Sequence, residues 1–176
     1  MARKGRYTYD YPRPMVTVDA VVFAVFESQL RVATIRRRFD PYAGAWALPG
    51  GFVEMDEDLD AAAARELAEE AGIRGVPLVQ FRAFGAPGRD PRGRSISVAF
   101  LAAVDAARHP LRAADDAAEA DWLPVGERQV LAFDHAEIVE YALDRLRELV
   151  ERGAGAAGAL LHEVPFEALA RAVSAG

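Results

Sequence analysis

Three glutamates in this chain lie at a spacing that could bind a cation. Glu66, Glu69 and Glu70 stand at positions i, i+3 and i+4 of a segment rich in alanine and leucine. A helix advances about 100° per residue, so these carboxylates share one side of it, where they repel each other. A divalent cation would relieve this repulsion, and Mg²⁺ prefers such oxygen ligands. The same pattern is also typical of a solvated acidic face with Arg65 as a partial counterion.

A glycine pair precedes the acidic segment at a defined distance. Gly50 and Gly51 allow a ligand or an ion to approach the backbone closely. From Gly51, five residues lead to Glu57 and seven more lead to Arg65. The pattern then continues through Glu66, Glu69, Glu70, Gly72 and Ile73. In every fixed position this segment resembles the signature of the Nudix hydrolase family.

The resemblance implies a fold and a set of residue roles. The fold is of the α+β class, with a mixed β-sheet flanked by α-helices as an α/β/α sandwich. Mg²⁺ or Mn²⁺ is expected to be bound by the helix carboxylates and by a carbonyl of the glycine pair: Glu66, Glu69, Glu70 and Gly50. Glu57 and Arg65 are expected to pair. Together with Gly51 and Gly72, a candidate helix cap, they would support the loop on the helix.

The chemistry that the resemblance implies is hydrolysis of a pyrophosphate linkage. Metal ions neutralise this anionic group and lower the pKa of bound water. A carboxylate would take the proton of that water, either on the helix or on a later loop. Asp116 and Glu119 are the preferred loop candidates because they precede the strand that contains Trp122. Solvation or capping is the alternative role for each of them.

Motifs outside this segment resemble bacterial ADP-ribose pyrophosphatases. They are Tyr11-Pro12-Arg13-Pro14, the run 46–53 and the run 90–99. This resemblance implies cleavage of ADP-ribose to AMP and ribose 5-phosphate. One alternative is a pyrophosphatase for nucleoside triphosphates or oxidised nucleotides. Another is a Nudix-related transcriptional regulator that senses ADP-ribose, although the segment after Arg152 is expected to be too short for a winged helix.

An ADP-ribose site would need cations for two phosphates. Arginine suits this role because its planar guanidinium binds phosphate in a bidentate fork. The candidates near predicted strand ends and loops are Arg37, Arg38, Arg92 and Arg94. Arginine is abundant throughout the chain, with Lys4 as the single lysine, so a solubilising surface role is the alternative for most of them.

Hydrophobic periodicity predicts the elements that must position these residues. Strands are predicted over 15–26, 30–38, 76–84, 95–104 and 120–123, and helices over 58–71, 134–152 and 166–173. The strands come in hairpins with few helices between them, which favours a mixed α+β fold. The predicted organisation is an N-terminal arm over 1–14, a hydrolase domain over 15–152, and a linker with a short helix over 153–176.

Composition excludes several classes of function. The chain has 176 residues, a net charge of −6 and no cysteine, which excludes a disulfide scaffold, a thiol nucleophile and a thiolate zinc site. No apolar run reaches the roughly 20 residues of a membrane span. The acidic balance lacks the basic footprint of a duplex-DNA binder, so a nucleic-acid partner is not expected. We expect a cytoplasmic enzyme with a nucleotide substrate, dimerised through its aromatic N-terminal arm.

Overall fold

One mixed β-sheet forms the centre of the fold. A computed structural model describes residues 9–113, 117–125, 130–158, 160 and 163–175. The strands are β1 (Met15–Phe26), β2 (Gln29–Arg37), β3 (Trp46–Ala47), β4 (Gly50–Phe52), β5 (Val79–Phe84), β6 (Ser95–Val104) and β7 (Ala117–Pro124). Their order is β3-β2-β1-β6-β5, with β4 also paired to β1 and β7 to β2. The β1–β6 pair is parallel, and the other pairs are antiparallel.

Helices cover both faces of this sheet. They are α1 (Leu59–Glu70), α2 (His135–Glu151), α3 (Ala154–Ala157) and α4 (Phe166–Ala175). Side chains alternate along β1, so Val22 packs in one core with Leu67 of α1. Phe23 packs in the other core with Ile138 of α2. The expected α+β sandwich of helices around a mixed sheet is therefore confirmed.

The hairpin of β1 and β2 closes through a two-residue turn. Phe26 lies opposite Gln29, which leaves Glu27 and Ser28 as the turn. Both have positive φ, 46° and 73°, as this tight turn type requires. The strands predicted over 15–26 and 30–38 leave three residues between them, so the observed turn is one residue shorter.

Several element boundaries differ from the predicted ones for identifiable reasons. β5 begins at Val79 rather than at residue 76, because Pro77 has no backbone N–H for the sheet. β7 begins at Ala117 rather than at residue 120. Ala118 and Glu119 in this added part are exposed, so the apolar pattern covers only part of the strand. The segment 41–51, for which no strand is predicted, contains β3 and the start of β4.

The C-terminal segment packs on the sheet. Residues 153–158 were predicted to be a flexible linker, yet they include the short helix α3, and Ala157 is fully buried. Alanine favours helix, which outweighs the glycines on either side. Leu160, Leu169 and Val173 share one core with Phe23 of β1. This segment therefore completes the face of the sheet that α2 covers.

The N-terminal arm is described from Tyr9 onward. Residues 9–14 form no helix or strand and are exposed, while residues 1–8 of the predicted arm lie outside the described residues. The guanidinium of Arg13 lies 3.8 Å from the ring centroid of Tyr9. Among the described residues, no helix combines the length and the apolar character needed to span a membrane.

The packing of α4 generates a stability prediction. Leu169→Ala should lower the free energy of unfolding by about 2–5 kcal/mol, because it opens a cavity in a fully buried site. Arg171→Ala changes an exposed residue on the same helix and should stay within about 0.5 kcal/mol. Urea unfolding followed by circular dichroism measures both. Equal midpoints for the two variants would show that α4 is not part of the folded core.

Candidate active site

Helix α1 presents the predicted glutamates on one side of its axis. The helix begins after Asp58, whose side chain accepts a hydrogen bond from the backbone N–H of Leu59 at 2.7 Å. It ends at Glu70 with Ala71 as its C-cap, and Gly72 follows in the left-handed conformation with φ +76°. Leu67 is buried against the sheet. The acidic side of the helix therefore faces the loop that contains β4.

Arg65 connects this loop to the helix through a single guanidinium group. Its Nη2 and Nε donate to the two carboxylate oxygens of Glu57 at 2.6 and 3.0 Å. Its Nη1 donates to Glu66 at 2.7 Å and to Glu69 at 3.2 Å. Nη2 also donates to the carbonyl of Phe52 in β4 at 3.1 Å. One cation thus holds three carboxylates and one strand together.

The protonation of this cluster follows from the same contacts. Hydrogen bonds from Arg65 hold the pKa of the Glu57 carboxyl below its ordinary value. Burial raises the pKa of Glu66, and its bond to Arg65 only partly opposes this effect. The hydrogen bond to Glu57 raises the pKa of the Arg65 guanidinium above its ordinary value, so this group stays charged.

The glycine pair allows the backbone of β4 to touch these carboxylates. A Cβ atom at Gly51 would overlap the carboxylate of Glu66. A Cβ atom at Gly50 would overlap the carbonyl of Val18 in β1. The N–H of Gly50 donates to Oε2 of Glu70 at 2.9 Å. A side chain at Gly51 would have to displace the Glu66 carboxylate, and one at Gly50 would push β4 away from β1.

The donor set suits a hard divalent cation in its chemistry. Carboxylate oxygens beside a glycine backbone are ligands that Mg²⁺ prefers. Within the described ranges, however, no three acidic or histidine side chains converge as a metal-binding group. Arg65 holds Glu66 and Glu69, and Gly50 holds Glu70. Glu66 uses Oε1 and Glu69 uses Oε2 in these bonds, so a cation could bind through the second oxygen of each carboxylate.

A cavity of about 410 Å³ lies in front of the acidic side of α1. Glu66 and Glu70 line one part of it. Predicted phosphate-binding arginines line another part: Arg37, Arg38 and Arg92. Two partly exposed aromatic side chains, Phe39 and Phe52, also line it. The cavity therefore brings carboxylates, guanidinium groups and aromatic rings together.

Each of the three arginines in the cavity is oriented by a hydrogen bond or an ion pair to another residue. Nε of Arg37 donates to the carbonyl of Pro41 at 2.8 Å, and Nη2 of Arg38 donates to the carbonyl of Ala117 at 2.9 Å. Nη2 of Arg92 lies 2.8 Å from Oδ2 of Asp90. These bonds leave the three guanidinium groups at the cavity.

The structure does not bring all of the predicted residues into this cavity. Nη1 of Arg94 donates to the carbonyl of Ser95 at 3.0 Å, and Arg94 is not among the described lining residues. Glu119 lies on β7 opposite Arg36, and their side chains form an exposed ion pair at 3.4 Å. That pairing keeps Glu119 out of the lining. Asp116 lies outside the described residues.

A buried polar network, which the sequence reasoning missed, adjoins the cavity. Arg89 binds Asp134 in a bidentate manner, with Nη2 to Oδ1 at 2.6 Å and Nε to Oδ2 at 2.8 Å. Nη2 of Arg89 also lies 3.6 Å from Oδ2 of Asp19, which accepts a hydrogen bond from Ser97. The pKa of the Asp90 carboxyl is lowered by Arg92, although burial opposes this shift. Asp19, a carboxylate within the otherwise apolar strand 15–26, was the feature of the sequence that could have indicated this network.

His135 fixes a second connection in this network. Its Nδ1 accepts a hydrogen bond from the N–H of Leu48 at 2.9 Å, so the proton of the neutral ring is on Nε2. Nε2 lies 3.5 Å from Oδ1 of Asp19. Complete burial lowers the pKa of His135 below its ordinary value, which keeps the ring neutral.

Comparisons with known proteins agree with this geometry. Residues 15–145 match the family model described as NUDIX domain. The chain is 38% identical over 132 residues to an ADP-ribose pyrophosphatase of Methanocaldococcus jannaschii, covering 74% of this chain and 73% of that protein. It is 36% identical to the ADPR responsive transcriptional repressor NtrR of Acinetobacter baylyi, over 78% of this chain and 56% of the repressor.

A solved structure shows the same similarity. The NUDIX domain of Shewanella oneidensis NrtR, crystallised with ADP ribose, superposes with a TM-score of 0.72 and 32% identity. This superposition covers 78% of the present chain and 94% of that domain.

The contact between Glu57 and Arg65 generates a pH-dependent prediction. Glu57→Gln should lower the melting temperature at pH 7 by roughly 2–4 °C for each kcal/mol lost. Because the folded-state pKa of Glu57 is lowered, its contribution is complete above the ordinary value of 4.5 and disappears as the pH falls below it. Scanning calorimetry from pH 7 to pH 3, without added divalent metal, measures the change.

The matched control is Glu148→Gln, which removes an exposed ion pair with Arg145 on α2. We expect little change in its melting temperature at any pH, because exposed pairs contribute little. A Glu57→Gln variant as stable as the unaltered chain at pH 7 would contradict the supporting role of this pair.

Proposed function

The chain belongs to the Nudix family of hydrolases, and from this premise we propose that it cleaves the pyrophosphate bond of ADP-ribose in a reaction that depends on a divalent cation. The products would be AMP and ribose 5-phosphate. The observation that carries this proposal is the cavity in which Arg37, Arg38 and Arg92 face the same space as Glu66 and Glu70. A diphosphate needs cations around its oxygens and a way to activate water, and this cavity offers both.

The names of similar proteins support ADP-ribose as the substrate. One relative is an ADP-ribose pyrophosphatase, and one similar domain was crystallised with ADP ribose. The chemical types of the lining residues suit such a ligand. Guanidinium groups bind phosphate oxygens, and the exposed rings of Phe39 and Phe52 offer surfaces for a base or a ribose.

The proposed cation ligands are three glutamates and one backbone carbonyl: Glu66, Glu69, Glu70 and Gly50. We propose Mg²⁺ or Mn²⁺ as the ion. When bound, it supplies charge neutralisation of the diphosphate and acidification of water. The close approach of Gly51 to Glu66 supports this assignment, because it leaves room for nothing larger than a hydrogen at that α-carbon.

The chain's own residues would then bind the substrate and accept a proton. Arg37, Arg38 and Arg92 would hold the phosphate oxygens and so bind the diphosphate. A water oxygen forms a bond to one phosphorus as the bridging P–O bond breaks, and the second phosphate leaves with the bridging oxygen. The proton of that water passes to a carboxylate. The helix glutamates are preferred over Glu119, whose side chain pairs with Arg36.

A second candidate function is regulation, and it is favoured by the similarity to the ADPR responsive repressor. In that case ADP-ribose would be sensed as well as hydrolysed. Gel-shift titration of the chain against the promoter of its own operon, at about 150 mM salt with and without ADP-ribose, tests this function. We expect no sequence-specific binding. Sequence-specific DNA binding that is released by ADP-ribose would show that the chain acts as a regulator.

We also propose that the chain forms a homodimer through its N-terminal arm. Tyr11 in this arm is 81% exposed, which suits an aromatic side chain that packs on a second copy. Light scattering measures the oligomeric state of the full chain and of a variant that contains only residues 15–176. We expect a dimer for the first and a monomer for the second. A monomeric full chain at micromolar concentration would contradict the proposal.

The metal assignment predicts the effect of neutralising single glutamates. Glu69→Gln or Glu70→Gln should lower kcat for ADP-ribose at saturating Mg²⁺ by about 100-fold or more, which is roughly 2.7 kcal/mol of barrier. The fold should persist, because repulsion between like charges on α1 decreases. Glu148→Gln on α2 is the control and should leave kcat unchanged. Near-normal turnover in either helix variant would remove that residue from the metal site.

The assignment of ADP-ribose as the substrate predicts how different nucleotides rank as substrates. Among ADP-ribose, other nucleoside diphosphate sugars, dinucleotides, triphosphates and an oxidised triphosphate, we expect kcat/KM to be highest for ADP-ribose. Steady-state rates at a fixed Mg²⁺ concentration measure it. A higher kcat/KM for a triphosphate would show that ADP-ribose is not the preferred substrate. It would leave the assignments of fold and metal unchanged.

A further inference from the structure

Two aromatic residues beside the cavity have left-handed backbone conformations. Phe133 has φ +54° and Tyr42 has φ +64°. This region is unfavourable for a bulky L-residue. Among the described residues, the other non-glycine positions of this kind are Glu27 and Ser28, which form the turn between β1 and β2. Phe133 occupies a turn ahead of α2, in which the N–H of His135 donates to the carbonyl of Ala132 at 3.2 Å. Such a turn takes a positive φ at this position but favours glycine, asparagine or aspartate there, so the contacts of the aromatic ring are what the turn leaves to be explained.

The two strained residues contact each other. The ring centroids of Tyr42 and Phe133 are 4.8 Å apart in an edge-to-face arrangement. The chain around Phe133 is held on both sides. The N–H of Ala132 donates to the carbonyl of Trp46 at 2.8 Å, and Asp134 is bound by Arg89. These bonds hold the backbone of Phe133 in its unfavourable conformation.

The ring of Phe133 lies against two guanidinium groups of the cavity. The central carbon of Arg37 lies 4.9 Å from the ring centroid, and that of Arg92 lies 5.4 Å from it. Two guanidinium groups near one ring repel each other. The negative face of an aromatic ring attracts each of them and offsets part of this repulsion. Phe133 lines a smaller cavity, of about 40 Å³, together with both arginines and Glu70.

Arg92 is oriented from a second direction as well. Its Nε and Nη2 donate to Asp90, and its central carbon lies 4.9 Å from the ring centroid of Phe52. In the part of the chain that the structure describes, no acceptor is bonded to Nη1 of Arg92. This edge of the guanidinium can therefore donate to a ligand.

We propose that Phe133, held in a left-handed conformation, is a positioning residue that gathers Arg37 and Arg92 into one anion-binding pair for the two phosphates of a nucleoside diphosphate. This proposal rests on the function proposed above and assigns the phosphate subsite within it. The ring acts through the two arginines, whereas the helix glutamates act on the reacting phosphorus. Loss of the ring should therefore weaken binding of the diphosphate more than it slows the bond cleavage.

The test uses Phe133→Asn, because asparagine tolerates positive φ and lacks the aromatic face. ADP serves as the diphosphate probe, and calorimetric titration of the full chain gives its dissociation constant. We expect Kd for ADP and KM for ADP-ribose to rise about tenfold, a typical effect of losing two cation–π contacts. We expect kcat to change less than threefold or so. The melting temperature should change little, because relief of the unfavourable φ offsets the lost packing of a half-buried ring.

Three further variants make the result specific. Phe133→Leu keeps an apolar side chain without the aromatic face and should weaken ADP binding to a similar extent. Phe133→Tyr keeps the aromatic face and should bind ADP as the unaltered chain does. Tyr141→Asn removes a ring that lies 3.8 Å from the guanidinium of Arg82, away from the cavity, and should leave Kd for ADP unchanged.

Unchanged ADP binding in Phe133→Asn and Phe133→Leu would overturn the proposal. So would a loss of affinity that simply follows a loss of thermal stability across the variants, or an unaltered chain that does not bind ADP. If the unaltered chain binds ADP and its Phe133 variants bind it weakly, the proposal holds even where ADP-ribose is not hydrolysed. That result would overturn the proposed reaction alone.

Discussion

A single guanidinium group shared by three carboxylates holds the candidate active site together. Arg65 donates to Glu57 on the loop, to Glu66 and Glu69 on its own helix, and to the carbonyl of Phe52 in β4. Without a cation at this point, the carboxylates would repel each other across a short distance. The loop, the strand and the helix can approach because one positive charge lies between them.

The approach is close enough to leave no room for a side chain at Gly50 or Gly51 of β4. Gly51 lies against the carboxylate of Glu66, and Gly50 lies against β1 while its N–H binds Glu70. The glycines and the glutamates are therefore parts of one arrangement. Arg65 balances part of the charge of Glu66 and Glu69 through one oxygen of each carboxylate. These bonds hold the carboxylates beside β4.

The wall opposite α1 is organised by a different set of contacts. Arg89, Asp19, Asp134 and His135 form a buried network that joins β1, the loop 85–94 and the start of α2. Buried charges of this kind are stable only when they are paired, and the pairing makes their geometry specific. The network fixes Asp134, and with it the strained backbone of Phe133, at the edge of the cavity. Rigid support of an unfavourable conformation is what a positioning side chain requires.

The sequence alone determined the acidic side of α1 and the class of fold. Helical periodicity placed Glu66, Glu69 and Glu70 together, because that relationship depends only on local geometry. The strands 15–26 and 95–104 followed from their apolar runs, and the family resemblance followed from the spacing of Gly51, Glu57 and Arg65. Each of these signals lies within one element or one short segment.

The tertiary structure alone decided which distant residues share the cavity. Arg92 lies in it and Arg94 does not, although they are two residues apart in the same loop, because Asp90 turns one guanidinium toward Phe52 and Ser95 holds the other. Glu119 has the residue type of a base, yet the register of β7 with β2 pairs it with Arg36. The conformation of Phe133 and the packing of the C-terminal segment are likewise set by partners far along the chain. Sequence spacing carries no information about such contacts, since they form only when the sheet brings its strands together.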